Sequence, residues 1–175
     1  TIRQSLCDFY ITPFAVAINS SNVIIGLLTS ISGLLGPISQ WFSSRLMETQ
    51  SRKKIVVTSL LYECLMWIPM ILTAFLFYKG IITSALPILL LILFSFYVII
   101  ANVAGPAWFS WIGDLVDDDY RGKWFSKRNV ILGIVGIIST LLGAFFLDYS
   151  KKEGIIMFGF MILFFLGMIA RLIAR

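Results

Sequence analysis

The stretch TSALPILLLILFSFYVIIANVAGPAWFSWIGDLVDDDYRGKWFSKRN, residues 83–129, changes character once, just past Trp111. Residues 83–112 contain no Asp, Glu, Lys or Arg, whereas Asp114, Asp117, Asp118, Asp119, Arg121, Lys123, Lys127 and Arg128 crowd the remainder. A helix rising 1.5 Å per residue needs about 20 apolar residues to cross a hydrocarbon layer of ~30 Å. The first part therefore predicts a membrane-spanning helix, and the charges mark its exit into water.

Composition extends that reading to the whole chain. Of the 175 residues, 59% are hydrophobic and 13% are charged, with a mean hydropathy of +0.94; soluble domains carry about 25% charged residues. A water-soluble fold is excluded. Working outward from 83–112, five further apolar segments follow the same logic, at 4–18, 23–44, 55–78, 129–147 and 154–173. The expected fold class is all-α, a polytopic transmembrane bundle of six helices. The first segment covers only about 22 Å at helical rise, so its beginning is expected to be missing and the chain to be a piece of a longer protein.

Lys and Arg set the expected orientation. Arg45, Arg52, Lys53, Lys54, Arg121, Lys123, Lys127, Arg128, Arg171 and Arg175 fall on one side of the predicted bundle, against Lys79, Lys151 and Lys152 on the other. Both chain ends and the longer basic loops are thus expected in the cytoplasm of a cell bearing the protein in its plasma or inner membrane. The net charge of +5 does not point to nucleic acid, because the basic residues form short clusters between apolar runs and no continuous stripe. Histidine is absent, which removes the commonest general base and metal ligand. Cys7 and Cys64 lie in apolar stretches without a CxxC pattern and read as packing residues, so neither catalytic residue, metal site nor cofactor is expected.

Small residues recur at i, i+4, i+7 in the second helix (Gly26, Ser30, Gly33) and in the fifth (Gly136, Thr140, Gly143). Each set lies on one face, where small side chains let another backbone approach closely. The spacing serves general membrane packing, or it marks the two helices as counterparts in a pair of inverted three-helix repeats.

The segment ANVAGPAWFSWIGDLVDDDYRGKWFSKRN, residues 101–129, has a helix ending in Trp and Gly-Asp, then acids, then Arg121-Gly122-Lys123 and a basic entry to the next helix. It resembles the fourth-to-fifth helix connection of the major facilitator superfamily. The family's signature between helices two and three, Gly-x-x-x-Asp-Arg-x-Gly-Arg-Arg/Lys-x-Arg/Lys, is met by Ser44, Glu48, Thr49, Ser51, Arg52, Lys53 and Lys54, with the acid and basic run kept and both glycines and the first Arg replaced. Segment 9–18, FYITPFAVAI, resembles the passage from the first to the second helix in some prokaryotic members. The resemblance covers essentially the whole chain and half of the usual twelve helices. It implies the amino-terminal six-helix half of a secondary transporter that moves a small solute by alternating access. The implied partners are the lipid bilayer, a carboxyl-terminal six-helix half of the same chain and the solute.

Ionisable side chains inside a membrane are costly and point to function. Asp8 lies in the first helix, ahead of a kink expected at Pro13, and Glu63 lies about 13 Å into the third; either can take a proton or a cationic group. The resemblance favours Asp8 as cavity residue and proton site, and Glu63 reads better as a protonated or paired acid bridging helices. Arg3, five residues from Asp8 and about 140° around an ideal helix, is not expected to stack on it. Asn102 is a further cavity candidate, because Pro106 frees its carbonyl from the helix ladder; Trp108 and Trp111 read as interfacial anchors. At the basic side, Glu48 and Asp114 beside Arg45, Arg52, Arg121 and Lys123 can form ion pairs that hold one conformation and break in another. With Lys53, Lys54 and Gly122 they make up the candidate gating loops, or simply a solvated face. Two other classes stay open: an enzyme using Mg²⁺ held by Asp114, Asp117, Asp118 and Asp119 on phosphorylated lipids, and a non-transporting membrane scaffold.

Overall fold

The computed structural model describes residues 1–173, so Arg175 lies outside the described residues. The regular structure of the described residues is all helix: α1 (Ile2–Leu6), α2 (Ile11–Ala17), α3 (Asn22–Thr49), α4 (Arg52–Leu65), α5 (Trp67–Tyr78), α6 (Leu86–Leu115), α7 (Asp118–Lys152) and α8 (Ile156–Ile173). A 3₁₀ turn, Asp8–Tyr10, joins α1 to α2, and α4 and α5 meet end to end at Met66. These make six rods. Five of them, Asn22–Thr49, Arg52–Tyr78, Leu86–Leu115, Asp118–Lys152 and Ile156–Ile173, are long and apolar enough to cross a membrane.

The connections on the basic side are two-residue breaks between extended helices, contrary to the expectation of long loops. α3 runs on to Thr49 and α4 starts at Arg52; α6 ends at Leu115 and α7 starts at Asp118. Local chemistry accounts for both restarts. Ser51 caps α4 by accepting from the Lys54 amide at 3.4 Å, and Asp118 and Asp119 place negative charge in the first turn of α7, where the helix dipole favours it. At the other end the turns need left-handed backbone, supplied by Asn19, Gly80, Ile82 and Gly154.

Packing follows a two-fold exchange of the rods. The second rod lies on the fourth (α3 on α6) as the fifth lies on the first (α7 on α1). The third packs on the fourth (α4 on α6) as the sixth does on the first (α8 on α1), and the third and sixth pack on each other (α5 on α8). Exchanging one with four, two with five and three with six maps this set onto itself, which is the relation of two inverted three-helix repeats. Small residues make the equivalent seams. In the fifth rod Gly136 faces Thr1 and Ser5, and Gly143 faces Tyr10, whose hydroxyl donates to the Thr140 carbonyl at 2.6 Å. In the second rod the seam is Gly36, Ser39 and Ser43: Gly36 abuts Asn102, and Ser43 donates to the Val103 carbonyl at 2.7 Å. Gly26, Ser30 and Gly33 do not form it; they are exposed, with nothing near the two glycines. The small-residue spacing read from the sequence therefore marks a different face of α3, and the contact is made by a second set, spaced i, i+3, i+7.

Apolar and charged residues are distributed inside out relative to a soluble protein. Ile137, Leu142 and Phe145 on α7 are at least 65% exposed, whereas Glu63 is completely buried. An apolar exterior of this kind is satisfied by lipid. The interior is aromatic where the first, third, fourth and sixth rods meet: Phe14 packs tilted or edge-on against Phe160 and Phe164 at 5.2 and 5.4 Å, and Trp67 likewise against Tyr97 and Phe164 at 5.1 and 5.2 Å. Cys7 and Cys64 are buried in this apolar interior.

Candidate functional site

The first rod breaks where Asp8 sits. Pro13 has no N–H for the carbonyl of Phe9, and its ring crowds that carbonyl, so the preceding turn leaves the α-helical path. The chain tightens into the 3₁₀ turn Asp8–Tyr10 behind Cys7, whose φ and ψ are −118° and −69°. The expected kink therefore lies one turn before Pro13, with Asp8 inside it.

That break changes the relation of Arg3 to Asp8. On an uninterrupted helix the two would diverge; here Arg3 Nη1 donates to both Asp8 carboxylate oxygens, at 2.7 and 2.8 Å. Tyr97 on α6 donates its hydroxyl to Asp8 Oδ1 at 2.6 Å, and the Arg3 guanidinium lies 5.5 Å from the Tyr97 ring centre. Behind Arg3 stands Glu63 of α4. Arg3 Nε is 3.1 Å from Glu63 Oε1, in ionic contact without an aligned hydrogen bond. Glu63 Oε2 accepts from Arg171 Nε at 3.0 Å and Nη2 at 2.7 Å. Two cations and two anions thus form one chain across the first, third and sixth rods, and Tyr97 ties it to the fourth. Arg171, counted by the sequence among the charges of the basic side, turns its side chain inward to a carboxylate that burial alone would leave uncompensated.

Arg3, Asp8 and Tyr97 form one end of a cleft of about 460 Å³ between α1, α2, α3 and α6, and Asn102 lines the same cleft. Of the three cavity candidates from the sequence, Asp8 and Asn102 are therefore brought together and Glu63 is not; it stands behind the cleft, against Arg3. Asn102 donates to the Val98 carbonyl at 2.8 Å and accepts from Gln40 at 3.4 Å. Thr12, Thr29 and Ser32 add hydroxyls to the wall, and Leu28 and Phe94 add apolar surface. Tyr97 and Gln40 were not anticipated. The available signal was a tyrosine in the middle of an apolar run, away from the interfaces where such rings usually sit.

At the basic end, Arg52 of α4 pairs with Asp114 of α6. Arg121 pairs with Asp118 at 2.6 Å and donates to the carbonyls of Gly113 and, at 3.3 Å, Val116, so it ties the start of α7 to the end of α6. Among the described residues no ion pair joins Glu48, Lys53, Lys54 or Lys123, and Gly122 has open space around it. Arg45 instead lies over the Trp41 ring at 4.1 Å, and Arg128 over Trp108 at 4.4 Å. Trp108 thereby joins the fourth rod to the fifth, beyond the anchoring role expected of it. Asp114 and Asp118 being engaged by arginines, the acids of this loop do not converge; among the described residues no group of three His, Cys, Asp or Glu side chains is arranged to hold a metal ion.

Comparison with known proteins agrees with this geometry. The family model described as Major Facilitator Superfamily matches residues 5–175. No curated protein and no solved structure gave a significant match to the chain. A match over nearly the full length, on a six-rod bundle with the two-fold packing of inverted repeats, makes this multi-pass membrane protein a member of the major facilitator superfamily, a family of membrane transporters of small solutes.

Proposed function

We propose that residues 1–175 are the amino-terminal six-helix half of a secondary active transporter, which moves a small solute by alternating access with protons as the coupling ion. The observation that carries this reading is the cleft walled by the first, second and fourth rods, with an ionisable Asp8 and an amide, Asn102, in its wall. An acid held by an arginine and a tyrosine deep in a membrane bundle can exchange its partner for a proton or a solute. A second six-helix half of the same chain would close the open side of the cleft. The positive-inside bias supports cytoplasmic chain ends in a plasma or inner membrane.

Transport by the full-length protein in proteoliposomes, with and without an imposed proton gradient, tests the coupling. Asp8→Asn is expected to abolish gradient-driven accumulation; unchanged gradient dependence in that variant removes Asp8 from the role. The Arg52–Asp114 pair is proposed as one tie of the conformation closed at the basic end. It is solvent-exposed and worth about 0–1 kcal/mol, weak enough to break in each cycle. Arg52→Glu and Asp114→Arg should each slow transport and together restore it. A double variant no faster than either single one argues for a solvated face without a gating role.

A further inference from the structure

We propose that the solute taken by the cleft is a small organic anion with a carboxylate headgroup, and that Arg3 is the residue that holds it, exchanging Asp8 for the solute. This rests on the transport reading above and specifies its substrate class.

The inference follows from charge counted around Asp8, element by element. The groups facing it are Arg3 on its own rod, Tyr97 from α6, and, one step behind, Glu63 from α4 and Arg171 from α8. α3 brings no charge to this wall, only the hydroxyls of Thr29 and Ser32 and the apolar Leu28. With both acids ionised, the two arginines are balanced and the cluster is neutral. Glu63 cannot leave, because it is fully buried and held by Arg171 at two nitrogens. Asp8 can, because its side chain is 23% exposed at the cleft.

When Asp8 takes a proton and releases Arg3, one uncompensated positive charge faces the cleft. A monoanion restores neutrality; a cation adds to the imbalance, and one approaching the ionised Asp8 would have to sit beside a guanidinium already within 2.8 Å of both carboxylate oxygens. The guanidinium fork suits a carboxylate with two parallel hydrogen bonds. Arg3 Nη1 serves Asp8 and Nε faces Glu63, so Nη2 is engaged by neither. One anion bound with one proton leaves the cluster's total charge as it was, which lets the same buried network remain balanced through the cycle. Asn102 lies five residues beyond Tyr97 on α6, about 7.5 Å along the helix axis, and provides a hydrogen-bonding partner for the far end of such a solute.

The test uses full-length protein in detergent and reads dissociation constants from ligand-dependent thermal stabilisation. The probes are acetate, lactate, benzoate and succinate, with inorganic phosphate as a different anion, and choline and tetraethylammonium as cations, at matched ionic strength. At least one carboxylate is expected to bind the wild type. Asp8→Asn, which removes the internal competitor while keeping the shape, should bind that carboxylate about tenfold more tightly and lose the pH dependence of binding. Arg3→Lys, which keeps the charge beside Glu63 and loses the fork, should bind it about tenfold more weakly while melting close to the wild type without ligand. Equal carboxylate affinity in wild type and Asp8→Asn, tighter binding of the cations or of phosphate, or no carboxylate binding by any form would overturn the proposal. Its failure is separable from that of the transport reading: solute flux that is indifferent to carboxylates leaves transport standing, and carboxylate binding with this variant pattern but no flux leaves the anion site standing.

Discussion

Glu63 is the residue on which most of the buried charge depends. It is fully buried and touches guanidinium groups from two other rods, Arg3 and Arg171, so its removal strands two cations in a medium that solvates them poorly. Breaking a buried pair by deleting one partner typically costs about 3–5 kcal/mol. Glu63→Ala should therefore lower the thermal midpoint of the detergent-solubilised protein markedly, and combining it with Arg171→Leu should recover part of the loss. A Glu63→Ala variant that melts with the wild type would mean the arginines find other partners. The sequence singled out Glu63 and Asp8, because an acid in an apolar run is conspicuous wherever it folds. It did not show their partners. Arg3 reaches Asp8 only because the helix breaks between them, and Arg171 reaches Glu63 across 108 residues of chain.

At the scale of elements, the rods are seated by small residues placed against specific neighbours. Gly167 of α8 meets Cys7 at the break in the first rod: a side-chain carbon there would collide with the Cys7 sulfur, which is completely buried. Cys7 also points its thiol at the Phe164 carbonyl, 3.7 Å away. Overpacking of a fixed seam costs about 1–3 kcal/mol, so Gly167→Ala should destabilise by that order, and the double variant Gly167→Ala with Cys7→Ala should return most of it, read from thermal unfolding. Additive losses in the double variant would show that the two positions do not share the seam. This seam bears out the reading of Cys7 as a packing residue and names what it packs against. The seam of the second rod was misread from the sequence for a related reason. Gly26, Ser30 and Gly33 have the right spacing, but periodicity marks a face without saying whether that face meets a partner. Gly36, Ser39 and Ser43 carry the contact because Asn102 and Val103 lie opposite them. The helix ends were missed similarly: the charged stretches at 45–54 and 113–128 read as loops, whereas caps at Ser51 and acids at the start of α7 carry the helices through them.

For the whole molecule, the pattern of lengths and charges in the sequence already held the six-helix bundle, and the signature-like stretches held the family. The cleft was legible only in outline, as two residues, Asp8 and Asn102, whose chemistry was out of place in a membrane. That they share one cavity is a property of the bundle: the first and fourth rods are counterparts under its two-fold exchange and face the same space. The central claim, that solute passes through this cleft, is tested most directly by blocking it. In full-length protein carrying Cys7→Ala and Cys64→Ala, Asn102→Cys places a thiol in the wall of the cleft, and Leu72→Cys places one on the exposed apolar surface of α5. Transport in proteoliposomes is then measured before and after a bulky water-soluble thiol reagent. The account predicts that flux through the Asn102→Cys protein stops and that excess solute slows the block, while the Leu72→Cys protein is unaffected; undiminished flux through a fully modified Asn102→Cys protein would contradict it.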